Sequence, residues 1–129
     1  MNDKDKKDLI DKYISSYNVF DIDGMMSVLH SEIEFKNISN GEETANTSGE
    51  IEFLKLAEQS KSFFSSRKQT IESFDVTDEQ VSVGISYEGV LAVDMPNGLK
   101  AGDSINLKGT SVFSFKDGKI RKIIDMSWK

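Results

Sequence analysis

Residues 105–128 read INLKGTSVFSFKDGKIRKIIDMSW, two runs rich in Val, Ile and Phe on either side of Asp117-Gly118. An Asp-Gly pair supplies the two left-handed positions of a tight turn, so Ile105 to Phe115 and Lys119 to Trp128 pair as an antiparallel hairpin. Alternation sets the faces: Ser111, Phe113, Ile123, Asp125 and Ser127 fall on one side, and Val112, Ile124, Met126 and Trp128 on the other. A carboxylate, Asp125, therefore sits on the same face as a phenylalanine. Both faces carry apolar side chains, which implies that one is covered by the protein itself and the other by a second copy. A homodimer through the outer sheet face is expected.

Working back from that hairpin, Met95-Pro-Asn-Gly98 marks a turn, and the single proline, Pro96, fixes its φ. Gln69 to Val76 and Gln80 to Leu91 flank the polar Thr77-Asp78-Glu79 and read as another hairpin. Glu32 to Ile38 alternates with period two, placing Ile33, Phe35 and Asn37 on one face. Earlier still the period changes. Ile10, Tyr13, Ile14 and Tyr17 recur at helical spacing, predicting a helix over Lys4 to Val19. Asp21 stands as the N-cap of a short second helix carrying Ile22, Met25, Met26 and Leu29 and ending near His30, the only histidine, in a C-terminal capping role. After a polar connection over 39–48, Gly49 opens a third helix with Ile51, Phe53, Leu54, Ala57, Phe63 and Phe64.

Helices first and strands after is the order of an α+β fold: a single domain over 1–129 in which three helices pack on one face of a curved antiparallel sheet of about five or six strands. The chain is long enough for one core. Its composition, 37% apolar and 29% charged, is that of a globular protein.

With no cysteine, disulfides, thiolate chemistry and Cys-ligated metals are excluded. A single His without paired carboxylates argues against a transition-metal site. The 22 acidic and 16 basic side chains give a net charge of −6, which disfavours nucleic acid; the basic islands Arg67-Lys68 and Arg121-Lys122 are short. Met1 to Asp11 alternates charge and lacks the apolar run of a signal or membrane span, so a cytoplasmic location is expected.

Tyr13-Ile-Ser-Ser-Tyr-Asn18, Asp21-Ile-Asp-Gly24, Phe35, and Phe113-Ser-Phe-Lys-Asp-Gly-Lys-Ile120 with Asp125, in that order, resemble the SnoaL-like branch of the nuclear-transport-factor-2-like superfamily, which includes ketosteroid isomerases and polyketide cyclases. The resemblance spans nearly the whole chain. It implies a cone, with a bent sheet enclosing three helices around an apolar pocket, and often a dimer through the outer sheet face. Tyr13 matches the isomerases' oxyanion-donating tyrosine, but their base position is Asn37, which is not a useful base, and their second donor position is Ser111. Ordinary ketosteroid isomerase activity is therefore not expected. Asp125 matches the acid/base aspartate on the last strand of the cyclases, whereas their polar partners on the preceding strand correspond to Gly109 and Ser111.

The candidate site is thus Asp125 and Tyr13 as catalytic groups, with Tyr17, Asn37, Phe35, Phe63, Phe64, Ser111 and Phe113 around the ligand, and no metal or cofactor. Two readings follow. An enzyme acting on a small apolar, oxygen-bearing molecule would use Asp125 as acid/base, and Asp125→Asn would abolish turnover. A non-enzymatic binding or interaction module would use Asp125 as a structural carboxylate, and the same change would disturb a buried polar network. A transport adaptor would need an exposed acidic and aromatic groove, which the sequence does not locate.

Overall fold

Asn2 starts the first helix: its side chain accepts a hydrogen bond from the Asp5 amide at 2.8 Å, and Asp3 and Asp5 lie at the positive end of the helix dipole. In a computed structural model, which describes residues 1–128, this helix, α1, spans Asp3–Asn18 and buries Ile10, Tyr13 and Ile14. Phe20 then takes a left-handed backbone (φ 60°) that stops the helix. Asp21 caps α2 (Ile22–Met26) by accepting from the Gly24 amide at 2.9 Å.

The second helix ends earlier than its spacing suggests. Leu29 and His30 open a strand, β1 (Leu29–Ser39). The Ile120 amide donates to the Val28 carbonyl at 2.9 Å, and Leu29 pairs with Ile120, so sheet pairing takes over these apolar residues. His30 is consequently not a helix cap. Its Nδ1 accepts from the Glu32 amide at 3.0 Å, and its Nε2 lies 3.5 Å from the Asp117 carboxylate.

The polar stretch expected as a connection is a further strand, β2 (Glu42–Ser48). It folds back from β1 through Asn40-Gly41, both with positive φ (51° and 82°), the conformation that Asn-Gly turns supply. Helix α3 spans Glu50–Lys61 and buries Phe53 and Ala57. It stops short of Phe63 and Phe64, and Phe64 is the first residue of β3 (Phe64–Val76), pairing with Leu91. The two phenylalanines thus belong to the sheet end of the turn. The remaining strands are β4 (Gln80–Leu91), β5 (Ser104–Lys116) and β6 (Lys119–Trp128).

The six strands lie in the order β2-β1-β6-β5-β4-β3. Four of the neighbouring pairs are antiparallel and one, β1 with β6, is parallel, so the sheet is mixed and unclosed. That parallel seam sets Phe35 beside Ile123 and Asn37 beside Asp125. In β3 a register shift between Ile71 and Ser73 changes parity, so that Arg67, Gln69 and Ile71 before it and Phe74 and Val76 after it all turn inward.

The core lies between α1, α3 and the concave face, with Ile10, Ile33, Val81, Val83, Ile120 and Ile123 fully enclosed. Two side chains fasten α1 to the sheet. Lys6 reaches the Thr77 and Asp78 carbonyls in the β3–β4 turn at 3.5 and 3.2 Å. Asn18 pairs twice with the backbone of Gln69, donating to its carbonyl at 3.0 Å and accepting from its amide at 2.7 Å. Because β3 is an edge strand, Asn18 there takes the place of a neighbouring strand.

Candidate functional site

At the wide end of the cone the helices and sheet part to leave a cavity of about 600 Å³. Its wall is largely apolar, from Met25 on α2, Phe53 and Ala57 on α3, Phe35 on β1 and Ile85 on β4. Tyr13, Tyr17, Phe35, Asn37, Phe63, Phe64, Ser111 and Asp125 all line it. Phe113 does not. It is buried behind the wall, 1% exposed, and packs edge-on against Tyr13 with ring centroids 6.0 Å apart. Its role is to hold the Tyr13 ring in place.

Asp125 is delivered by the alternation of β6, opposite Ser111 on β5. The Ser111 hydroxyl donates to Asp125 Oδ1 at 2.6 Å, and this is the one hydrogen bond the carboxylate makes among the described residues. The surface that Asp125 does expose faces the cavity, not bulk water. Burial pushes its pKa up from 3.8 to about 6, the Ser111 hydroxyl pulling weakly the other way.

Asn37, one strand over, is satisfied elsewhere. Its Nδ2 donates to the Thr44 hydroxyl at 2.7 Å and to Ser39 at 3.2 Å, anchoring β1 to the edge hairpin instead of Asp125. The Tyr13 hydroxyl has no hydrogen-bond partner among the described residues. Burial, reinforced by the Asp125 charge, raises its pKa well above the ordinary value, so it remains a proton donor. Gly109 admits no side chain, since a Cβ there would overlap the Met126 carbonyl oxygen. The polar partner that cyclases carry at that position is thus sterically barred.

A second polar cluster occupies another part of the wall; the sequence singled out Tyr17 and Phe64 in it but not Arg67, Gln69 or Tyr87. Tyr17 and Tyr87 hydroxyls pair at 3.1 Å, and the Phe64 ring lies edge-on to Tyr87 with centroids 6.1 Å apart. Beside them are Gln69 and Arg67, the latter 5% exposed. Parity is the signal that points to them: Arg67 and Gln69 share a face with the inward Ile71 once the strand is extended back to Phe64.

A family model described as the SnoaL-like domain matches residues 10–123. The chain belongs to the SnoaL-like domain family. Solved structures agree on the SnoaL-like fold. A protein assigned as a polyketide cyclase from Xanthomonas campestris superposes with TM-score 0.83 at 18% identity, covering 98% of this chain and 92% of that one. AclR from Streptomyces galilaeus, assigned as a hydroxylase, gives 0.76 at 17% identity, with 98% and 90% covered. TerC, co-crystallised with polyporic acid, gives 0.72 at 15% identity, with 94% and 89% covered. At such identities the likeness concerns the fold alone, and the differing assignments illustrate that a SnoaL-like cone does not fix a reaction. No curated protein matches the chain significantly in sequence.

Among the described residues no three His, Cys, Asp or Glu side chains are grouped to hold a metal ion, and no helix is long and apolar enough to cross a membrane.

Proposed function

We propose that the chain takes a small apolar, oxygen-bearing molecule into the cavity and carries out isomerase- or cyclase-type proton transfer on it through Asp125. One observation carries this reading: a carboxylate facing an apolar cavity, held by a single hydroxyl, with its pKa pushed up to about 6. Such a group is populated in both protonation states near neutral pH, so it can take a proton and return it. A raised pKa makes the ionised carboxylate a stronger base toward a C–H bond next to a carbonyl.

The remaining geometry supplies the other half of the chemistry. As Asp125 removes the proton, the C–H electron pair moves onto the carbonyl oxygen. The unpartnered Tyr13 hydroxyl donates to that developing oxyanion. Returning the proton from Asp125 to a different carbon gives an isomer; attack of the enolate carbon on a second carbonyl forms the ring C–C bond as that C=O π bond opens to an alkoxide, which takes the proton back from Asp125. Asn37, both amide hydrogens of which go to Thr44 and Ser39, has only its Oδ1 left to accept from a ligand hydroxyl and is no base. The same reading includes a dimer, supported by the partly exposed Val112 and Ile124 and the half-exposed Trp128 on the outer face.

The test is a generic carbon-acid probe, 5-nitrobenzisoxazole, in which loss of the ring C–H proton to a base breaks the N–O bond and yields a coloured cyanonitrophenolate. The expected rate rises with pH through about 6 and levels off, following ionisation of Asp125. Asp125→Asn should lower it to the level of free acetate. A rate no greater than acetate in the wild type, or one indifferent to Asp125→Asn, would leave a binding module without turnover as the better reading.

A further inference from the structure

Arg67 is the one buried guanidinium in the wall of the cavity among the described residues, and nothing in the reaction above uses it. Its Nε donates to the Tyr17 carbonyl at 3.0 Å, which places positive charge at the C-terminal end of α1, a helix with no basic residue in its last turn. Its guanidinium carbon lies 3.7 Å from the Tyr17 ring centroid and 4.5 Å from that of Phe20. These contacts hold the plane of the group but do not neutralise it. No carboxylate comes within ion-pairing distance of it among the described residues, and Nη1 is fully buried with no hydrogen-bond partner. A buried guanidinium is costly unless paired, and in a chain of net charge −6 acidic partners are plentiful elsewhere.

The polar neighbours of Arg67 along the wall, Tyr17, Gln69 and Tyr87, are all groups able to donate. In the Tyr17–Tyr87 pair one hydroxyl proton is spent on the other oxygen, which leaves the second proton free to donate. Gln69 adds a side-chain amide beside Tyr17. Among the described residues no acidic side chain lines this corner. Asp125, the only carboxylate among the described residues of the cavity wall, is bound to Ser111 and makes no ion pair with Arg67.

Resting on the pocket reading above, we propose that the corner formed by Arg67, Tyr17, Gln69 and Tyr87 is a carboxylate subsite, and that the ligand of this cavity is an apolar carboxylic acid. Its carboxylate takes the guanidinium at Nη2, the nitrogen neither spent on Tyr17 nor sealed in the wall, together with a tyrosine hydroxyl, and its apolar body lies along Phe35, Phe53 and Phe64 toward Asp125. The arrangement separates the two charges of the cavity. The cation fixes one end of the ligand, while Asp125 meets a carbon that is not beside the anchoring charge.

Calorimetric titration with 2-naphthoic acid and its neutral methyl ester, at pH 7.5, tests this on the wild type, Arg67→Lys and Arg67→Gln. The acid should bind the wild type at least ~10-fold tighter than the ester, as expected for a charge-assisted hydrogen bond in a largely apolar cavity. Arg67→Gln should level the two, with ester affinity changed less than about threefold, since the apolar contacts remain. Should Arg67→Gln not fold, Arg67→Lys keeps the charge but loses the Tyr17 carbonyl bond and the ring stacking that aim it, and most of the acid preference should go with them. If the ester binds the wild type as well as the acid, or the preference survives in both variants, the subsite is refuted while the cavity reading stands. If neither compound binds the wild type, the cavity reading itself fails and this inference with it.

Discussion

Replacing Asp125 by Asn should make the protein more stable at neutral pH, not less. The carboxylate has a pKa of about 6 in the folded protein against 3.8 ordinarily. Between those values the folded state binds a proton that the unfolded chain has released, so stability falls as pH rises from about 4 through about 6 and is flat above. A gap of about two units at about 1.4 kcal/mol each is a penalty of roughly 3 kcal/mol at pH 7 and above. Asp125 is partly exposed toward the cavity, so solvent screening makes this figure an upper bound. Asparagine has nearly the same shape, stays neutral at every pH, and offers an amide oxygen to the Ser111 hydroxyl that now donates to Oδ1. Equilibrium urea unfolding of both proteins at pH 4.0 and pH 7.5 isolates the effect, since the other titrating groups cancel in the difference. The two should be about equal at pH 4.0, and the variant should lead by up to roughly 3 kcal/mol at pH 7.5, equivalent to a melting-temperature rise of up to roughly 10 °C. A variant less stable than wild type at pH 7.5, or a difference that does not change with pH, would refute the reasoning. It would mean that Asp125 is a satisfied structural carboxylate. Gain of stability with loss of proton transfer is the signature of a group kept for chemistry at the expense of the fold.

Other outcomes follow from neighbouring contacts. Tyr13→Phe should leave stability within about 0.5 kcal/mol by chemical denaturation, since its hydroxyl has no partner to lose. Tyr17→Phe should cost about 1 kcal/mol by the same measurement, because it breaks the pair with Tyr87. Asn18→Ala leaves the Gln69 amide and carbonyl on the edge of β3 without their partner, and a loss of about 1–3 kcal/mol is expected, with faster amide exchange at Gln69 as its local marker. Gly109→Ala forces a methyl group onto the Met126 carbonyl, so a midpoint shift of about 1–3 kcal/mol should appear even though the residue is small.

Much of the fold is legible in the sequence because local chemistry decides it. The Asp21 cap, the helical spacing of Ile10, Tyr13 and Ile14, and the Asp117-Gly118 turn are settled within a few residues of themselves, and the sequence records them. The stretches that depart from their periodicity are those where a distant partner decides. Leu29 and His30 fit a helix by spacing, but Ile120 claims them for the sheet. Phe63 and Phe64 extend an apolar helical stripe, yet Leu91 and Ala92 draw them into the sheet end. The polar β2 reads as a connection because its residues lack the apolar alternation that marks a buried face.

The candidate site divides along the same line. Alternation alone put Asp125, Ser111 and Phe113 on one face, and the sequence thereby determined which residues could meet. Whether they form a site depended on distances between strands far apart in the chain. Only the folded sheet decided that Ser111 alone holds Asp125, that Asn37 turns to Thr44 instead, and that Phe113 lies behind Tyr13 and not at the cavity wall. Arg67 shows the difference most clearly. In the sequence it is half of a short basic island; in the cone it is a buried cation without a counter-charge among the described residues, because burial and pairing are properties of the three-dimensional surroundings and not of the residue.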